Sequence, residues 1–159
     1  MMDLLAVSEE EYGPEYRAHL MDQYKLYVQM SDRVSGRRVD ANRYLLTVNA
    51  FLITLYGLST SSASIEKGVW LYVVPLAGIA VCLTWLATIK SHRDLNTAKF
   101  KVIHELEQVL PAALYDREWA LAEEGKGIAY KPISHIEGVI PWVFAALYAL
   151  LALFALCSA

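Results

Sequence analysis

Four arginines, Arg33, Arg37, Arg38 and Arg43, crowd the stretch SDRVSGRRVDANRYLLTVN, Ser31 to Asn49, and lead into an apolar segment that carries Asn42 and Asn49. Clustered guanidinium groups bind phosphates, either of a nucleotide or of a lipid headgroup. On a helix turning about 100° per residue, Arg33, Arg37 and Asp40 share a face, with Arg37 and Asp40 spaced to pair, while Arg38 and Arg43 point elsewhere. This scatter fits contact with acidic lipids on the inner face of a membrane better than one anion pocket. In a ring of subunits, however, an inward arginine is multiplied, and a cationic vestibule for a nucleotide-derived signal stays open as the second reading. The four histidines, His19, His92, His104 and His135, have no cysteine, histidine or carboxylate at metal-ligand spacing. HELE at His104 to Glu107 lacks the second histidine of a metalloprotease helix, and no phosphate loop, nucleophile elbow or kinase signature occurs. The expectation is a protein that is not an enzyme, with no catalytic residues, metal or cofactor.

The elements that carry these residues are set by blocks of hydrophobicity. The chain has 159 residues, 56% of them hydrophobic, a high share for a soluble domain of this size. Tyr44 to Ile65 is free of charge, as are Gly68 to Ile89 and Val139 to Cys157; each has about the 20 residues a helix needs to cross a hydrocarbon core. The expected fold is therefore an all-α membrane protein with three transmembrane helices. The organisation predicted is an acidic N-terminal segment over 1–14, a cytoplasmic amphipathic helix over 15–43, span one with the start of an outer loop over 44–65, and span two over 68–89. A cytoplasmic helical segment over 90–138 and span three over 139–157 complete it. The acidic N-terminus lacks the features of a secretory signal, so no cleavage is expected.

Of the 14 lysines and arginines, all but Lys67 fall on one side of these spans. Cationic loops stay in the cytoplasm, which predicts a cytoplasmic N-terminus and a C-terminus on the periplasmic or extracellular side. Net charge is −3, so direct DNA binding is not expected. Cys82 and Cys157 lie within spans two and three as packing residues, without a disulfide framework.

Before span one, Leu20, Tyr27, Val34, Ala41 and Val48 recur at heptad spacing, predicting a long helix from Glu15 to Ser59 with Gly36 as its place to bend. After span two, Leu95, Val102, Leu106 and Val109 continue the helical period as far as Pro111. Joined by a short connection, these two helices run antiparallel and extend into a cytoplasmic helical stalk. A short helix follows, with Asp116 placed to cap its start and Gly125 its end. Ser134 and Glu137 form a capping box before span three, Pro141 is tolerated in its first turns, and Trp142 suits an interfacial anchor.

In lipid, helices associate through small residues and polar contacts. Span three offers Ala145, Ala149, Ala152 and Ala155; span two offers Ala77, Ala80, Thr84 and Ala87. Span one is the polar one, with Thr47, Asn49, Thr54 and Tyr56. Buried in hydrocarbon, the Asn49 amide needs a partner or water. It bonds a helix of its own subunit, or it lies at a subunit interface or on a water-filled axis. Thr47, Asn49 and Thr54 are the candidate pore or interface residues; Arg33, Arg37, Arg38 and Arg43 are the candidates for an anionic ligand or lipid.

The segments Gln23 to Asn49, LNTAKFKVIHELEQVLP from Leu95 to Pro111, and ISHIEGVIPWVF from Ile133 to Phe144 resemble the RipA-type family of small bacterial inner-membrane proteins. The resemblance implies a homo-oligomeric assembly, an octamer, with cytoplasmic helices. In layout the chain is also similar to the SLATT membrane effectors of anti-phage systems and to the octameric accessory protein of RNA-targeting CRISPR systems. That likeness implies a pore opened by a nucleotide signal or a defence-system partner protein. The HEPN ribonuclease motif suspected in some such relatives is missing here, since Arg93 to His104 is too long a spacing and Arg17 to His19 too short. The functional expectation is an oligomeric pore or channel in the bacterial inner membrane, acting in anti-phage defence. The alternative is a non-conducting scaffold for envelope homeostasis or growth under stress.

Overall fold

A computed structural model describes residues 4–61, 67–122 and 137–157. Every regular element among them is helical: α1 (Glu9–Tyr12), α2 (Tyr16–Ser61), α3 (Lys67–Glu107), α4 (Leu114–Leu121) and α5 (Val139–Cys157). The chain divides into two compact units. One combines Met1–Arg37 with His92–Pro132, the other Arg38–Ser91 with Ile133–Ala159. Both α2 and α3 contribute to each unit.

No proline interrupts α2, and the helix runs through Gly36 without a break. In the first unit its inner face is Leu20, Tyr24, Tyr27 and Ser31, an alternation of four and three residues that keeps one seam toward α3. Ile103, Leu106 and Glu107 on α3 are buried against it. The partners descend along α3 as they ascend along α2, with Tyr24 bonding Glu107 and Tyr27 stacking under Lys99. Within this unit the two helices are therefore antiparallel. The acidic N-terminal segment contains α1. Ser8 Oγ accepts from the Glu11 amide at 3.3 Å, and Gly13 ends the turn at φ 95, a conformation glycine adopts without the steric cost of a Cβ. An ion pair from Arg17 Nε to Glu9 Oε1, 2.8 Å, ties α1 to the start of α2.

In the second unit the inner face of α2 is Leu45, Asn49, Leu52, Tyr56 and Ser59. It meets Val74, Cys82, Trp85 and Ile89 of α3 and Tyr148 and Ala155 of α5, all buried. Pro141 is the third residue of α5, where a missing amide proton costs nothing because that amide has no partner within the helix. Gly78 of α3 makes room for α5: a Cβ there would overlap the Tyr148 ring.

Among the described residues, two helices are long and apolar enough to cross a membrane, over Val69–Glu107 and Val139–Cys157. Three expectations need correction or placement. The start of α4 is not capped by Asp116, because the helix begins at Leu114 and no side chain of its N-cap residue, Ala113, can accept a bond; the carboxylate that caps it belongs to Glu107. The helix of α3 stops at Glu107, four residues short of Pro111. Gly125 and Ser134 lie outside the described residues, and with them the predicted C-cap and capping box.

Candidate functional site

Asn49 is fully buried, and its polar groups are engaged within its own chain. Its side-chain Nδ2 donates to Leu45 O at 2.8 Å, Cys82 Sγ lies 3.5 Å from its Oδ1 as a weak donor, and its backbone carbonyl accepts from Tyr148 Oη at 3.1 Å. One residue thus ties α2 to both α3 and α5. Of the arrangements open to Asn49, the one realised here is bonding to helices of its own subunit.

Asn49 is one rung of a polar ladder along the inner face of α2. One turn after Arg38 and two turns before Asn49 stands Asn42, whose Oδ1 accepts from Trp85 Nε1 at 2.8 Å. Trp85 is 1% exposed and its ring packs against Phe144, with centroids 6.3 Å apart. Below it, Arg38 Nε lies 3.5 Å from Glu137 Oε2, both side chains mostly covered. Each rung gives a covered polar group a partner inside the unit, where an unpaired one would be costly. The ladder gathers polar groups on the inside of the unit and dedicates them to packing.

Arg38 is thereby separated from the other arginines. Arg33, Arg37 and Arg43 are exposed, and none of them forms an ion pair among the described residues; the Arg37–Asp40 pair expected from spacing is not made. Thr47 and Thr54 are also exposed, on the outward side of α2. Their hydroxyls donate to the carbonyls one turn back, Thr47 to Arg43 O at 3.0 Å and Thr54 to Ala50 O at 3.0 Å. Asn49 and the two threonines, grouped by sequence as one polar set, therefore face opposite sides of the helix.

The outward faces of the three helices in this unit differ in chemistry. That of α2 carries Thr47, Thr54, Thr60, Ala50 and Gly57 beside Tyr44 and Phe51. Within 69–89, that of α3 has Ala77, Ala80, Ala87 and the single hydroxyl Thr84 among Leu76, Leu83 and Val73. That of α5 is Val139, Trp142, Leu150, Leu153, Phe154 and Leu156, with no hydroxyl. Ala155 is buried, but Ala149 of the predicted stripe is exposed, as is Cys157; Cys82 alone of the two cysteines packs in the core.

In the other unit, the residue that sequence reasoning passed over is Glu107. It is 2% exposed, and its carboxylate accepts from Tyr24 Oη at 2.8 Å, from the Tyr115 amide at 2.9 Å and from the Asp116 amide at 3.0 Å. The two amides are orphan donors of the first turn of α4, so Glu107 caps that helix from outside. Burial works against its ionisation, but the two amides, the Tyr24 hydroxyl and nearby His104 outweigh it, and the pKa lies below the ordinary carboxylate value. Burial first, and then the bond to Glu107, push the Tyr24 hydroxyl up to about 12. The last glutamate of HELE thus serves this cap, and among the described residues no group of three or more histidines, cysteines and carboxylates converges for a metal.

Compared with known families, residues 21–157 match the family model described as the octameric membrane protein family, 8xMP. No curated protein matches the chain, and no solved structure does.

Proposed function

Because the chain belongs to the octameric membrane protein family 8xMP, and so to a family of homo-oligomeric membrane proteins, we propose that it forms a pore in the bacterial inner membrane with α2 bordering the axis. In this reading α2 beyond Tyr44 is a third span, the N-terminus is cytoplasmic, and the helical segments before span one and after span two form a cytoplasmic stalk. The observation that carries the pore is the exposed hydroxyl stripe of Thr47 and Thr54, on a helix whose asparagines are already satisfied inside the subunit. A hydroxyl bonded to its own helix keeps acceptor lone pairs for water, which suits a weakly polar, wettable lining. The anti-phage role and its control by a nucleotide signal or a defence partner protein are part of the proposal, resting on likeness in layout to effectors of that kind. Arg33 and Arg37, exposed and unpaired among the described residues, are the groups that would meet an anionic signal or acidic lipid.

Ion flux from liposomes containing the purified octamer tests the pore. Flux that appears on addition of the cytoplasmic trigger is the expected result, and vesicles that stay tight under every triggering condition would overturn it. One observation favours a second reading, a non-conducting scaffold: the Thr47 and Thr54 hydroxyls each have a donor bond within the helix and so do not require water. Tight vesicles together with an intact octamer would be its signature.

A further inference from the structure

Seven residues of the outward arc of α2 fall into three strips. At about 100° per residue, Tyr44 and Phe51 lie together on one edge, Thr47 and Thr54 lie about 60° further round, and Arg43, Ala50 and Gly57 lie about 120° from the first edge. All seven are exposed in the single chain. One edge is aromatic, the other carries Arg43 and two small residues, Ala50 and Gly57, and the hydroxyls run between them.

Gly57 is the most telling of these. Glycine weakens a helix, and at Gly78 the reason for accepting that cost is visible, because Tyr148 occupies the space of a Cβ. At Gly57 nothing lies within 4 Å of the Cβ position. Among the described residues its own subunit gives no reason for glycine there, whereas close approach of another helix would.

The family is octameric, and a closed ring requires two different, complementary faces on each member. Seen from one member of a ring of eight, the two neighbours lie about 135° apart on the axis side. The two edges of α2 are separated by about that angle, with the hydroxyl strip in the gap. The outward face of α5, with large apolar residues and no hydroxyl, has the composition of a lipid-facing surface.

We propose that neighbouring copies of this chain join through α2 against α2: the aromatic edge, Tyr44 and Phe51, of one subunit seats on the other edge, Arg43, Ala50 and Gly57, of the next. Rotation about the ring axis keeps equal heights together, so Phe51 lies over Ala50 and the Tyr44 ring meets the Arg43 guanidinium, a cation–π contact. Thr47 and Thr54 are left facing the axis. The inference rests on the reading that α2 borders that axis, and it names the surface by which the second copy is recognised.

Two differently tagged chains, one carrying Ala50→Cys and the other Phe51→Cys, both in a Cys157→Ser background, are co-expressed and oxidised in native membranes. The expected product is a cross-linked dimer containing both tags, with little dimer from either chain alone. Equal cross-linking of Ala50→Cys chains to themselves, or cross-linking of Ala50→Cys to Ala80→Cys in place of Phe51→Cys, overturns the proposal. In a second measurement, Gly57→Leu should leave the helical content unchanged while the octamer peak in detergent is replaced by smaller species; an intact octamer overturns the proposal. Liposome flux separates this interface from the pore. Mixed dimers with tight vesicles keep the interface and remove the pore, whereas leaking vesicles without mixed dimers do the reverse.

Discussion

At the scale of the residue, Asn49 is a packing hub, and substitutions there report on the subunit interior. Leucine has the same branching and number of side-chain heavy atoms but lacks the amide, so Asn49→Leu loses the Leu45 bond and the Cys82 contact. It keeps the backbone carbonyl that Tyr148 uses. The expected loss is small, about 1 kcal/mol, as for polar contacts between membrane helices. Asn49→Asp buries a charge among the same neighbours and should cost about 3 kcal/mol. Unfolding of the detergent-solubilised protein measures both, and a similar loss for the two would mean that Asn49 is not enclosed. Because the residue faces inward, liposome flux through Asn49→Leu should stay near wild type, and loss of flux with an intact octamer would place Asn49 at the axis. Replacing Arg33 and Arg37 with glutamine should abolish the response to an anionic signal while leaving the fold untouched, since neither side chain has an ion-pair partner among the described residues; an unchanged response removes the nucleotide reading.

At the scale of the element, Glu107 holds α4 in place. Its three accepted bonds are charge-assisted, so Glu107→Gln, which keeps the shape but brings an amide donor toward amide donors, should cost about 2–3 kcal/mol. The fluorescence of Trp119 on α4 offers a local probe. The sign of the pH dependence follows from the lowered carboxyl pKa. This contribution is fully present above the ordinary value of 4.5 and is lost as pH falls through the lower value in the folded protein. Acid should therefore release α4 in the wild type, and the glutamine variant should show no such step. At the alkaline end, Tyr24 contributes below its ordinary value of 10.0, and that part is lost as pH rises through about 12. A second contrast concerns helix packing. Gly78→Ala drives a methyl group into the Tyr148 ring and should destabilise the subunit by about 1–3 kcal/mol. The same change at Gly57 meets nothing among the described residues of its own chain and should leave the stability of the subunit unchanged or slightly raised.

At the scale of the whole molecule, the division of polar groups decides how the subunit presents itself. Those of the inner face of α2 are paired with α3 and α5, while its outward face keeps Thr47 and Thr54 between an aromatic edge and the edge of Arg43, Ala50 and Gly57. On the proposed ring, Thr47→Val with Thr54→Val would make the lining wholly apolar and should reduce flux several-fold without dispersing the octamer. An undiminished flux would take the threonines off the axis. The carboxylate of Glu137 at the start of α5 meets Arg38 of α2, so Arg38→Ala, which leaves an acid mostly covered and unpaired, should cost about 3 kcal/mol. That loss belongs to the fold of the subunit, and it distinguishes Arg38 from the three exposed arginines.

The amino-acid sequence by itself determined the helical class, the apolar segments of α3 and α5 and the membrane setting. These follow from composition and from periodicity along one chain, and residues a few positions apart carry that information. It also placed polar residues in α2 and arginines before it. Whether Asn49 faces a neighbour or water was not legible there, because the answer depends on Cys82 and Tyr148, far away in the chain and brought beside it only by the packing of α3 and α5. For the same reason Arg38 read as one of four cations until Glu137 stood next to it, and Glu107 read as part of a failed metal motif until α4 turned its amides toward it. Spacing within a helix reveals which residues share a face. Only tertiary structure decides which face is covered and by what, since that is set by contacts between segments whose separation in sequence carries no periodic signal.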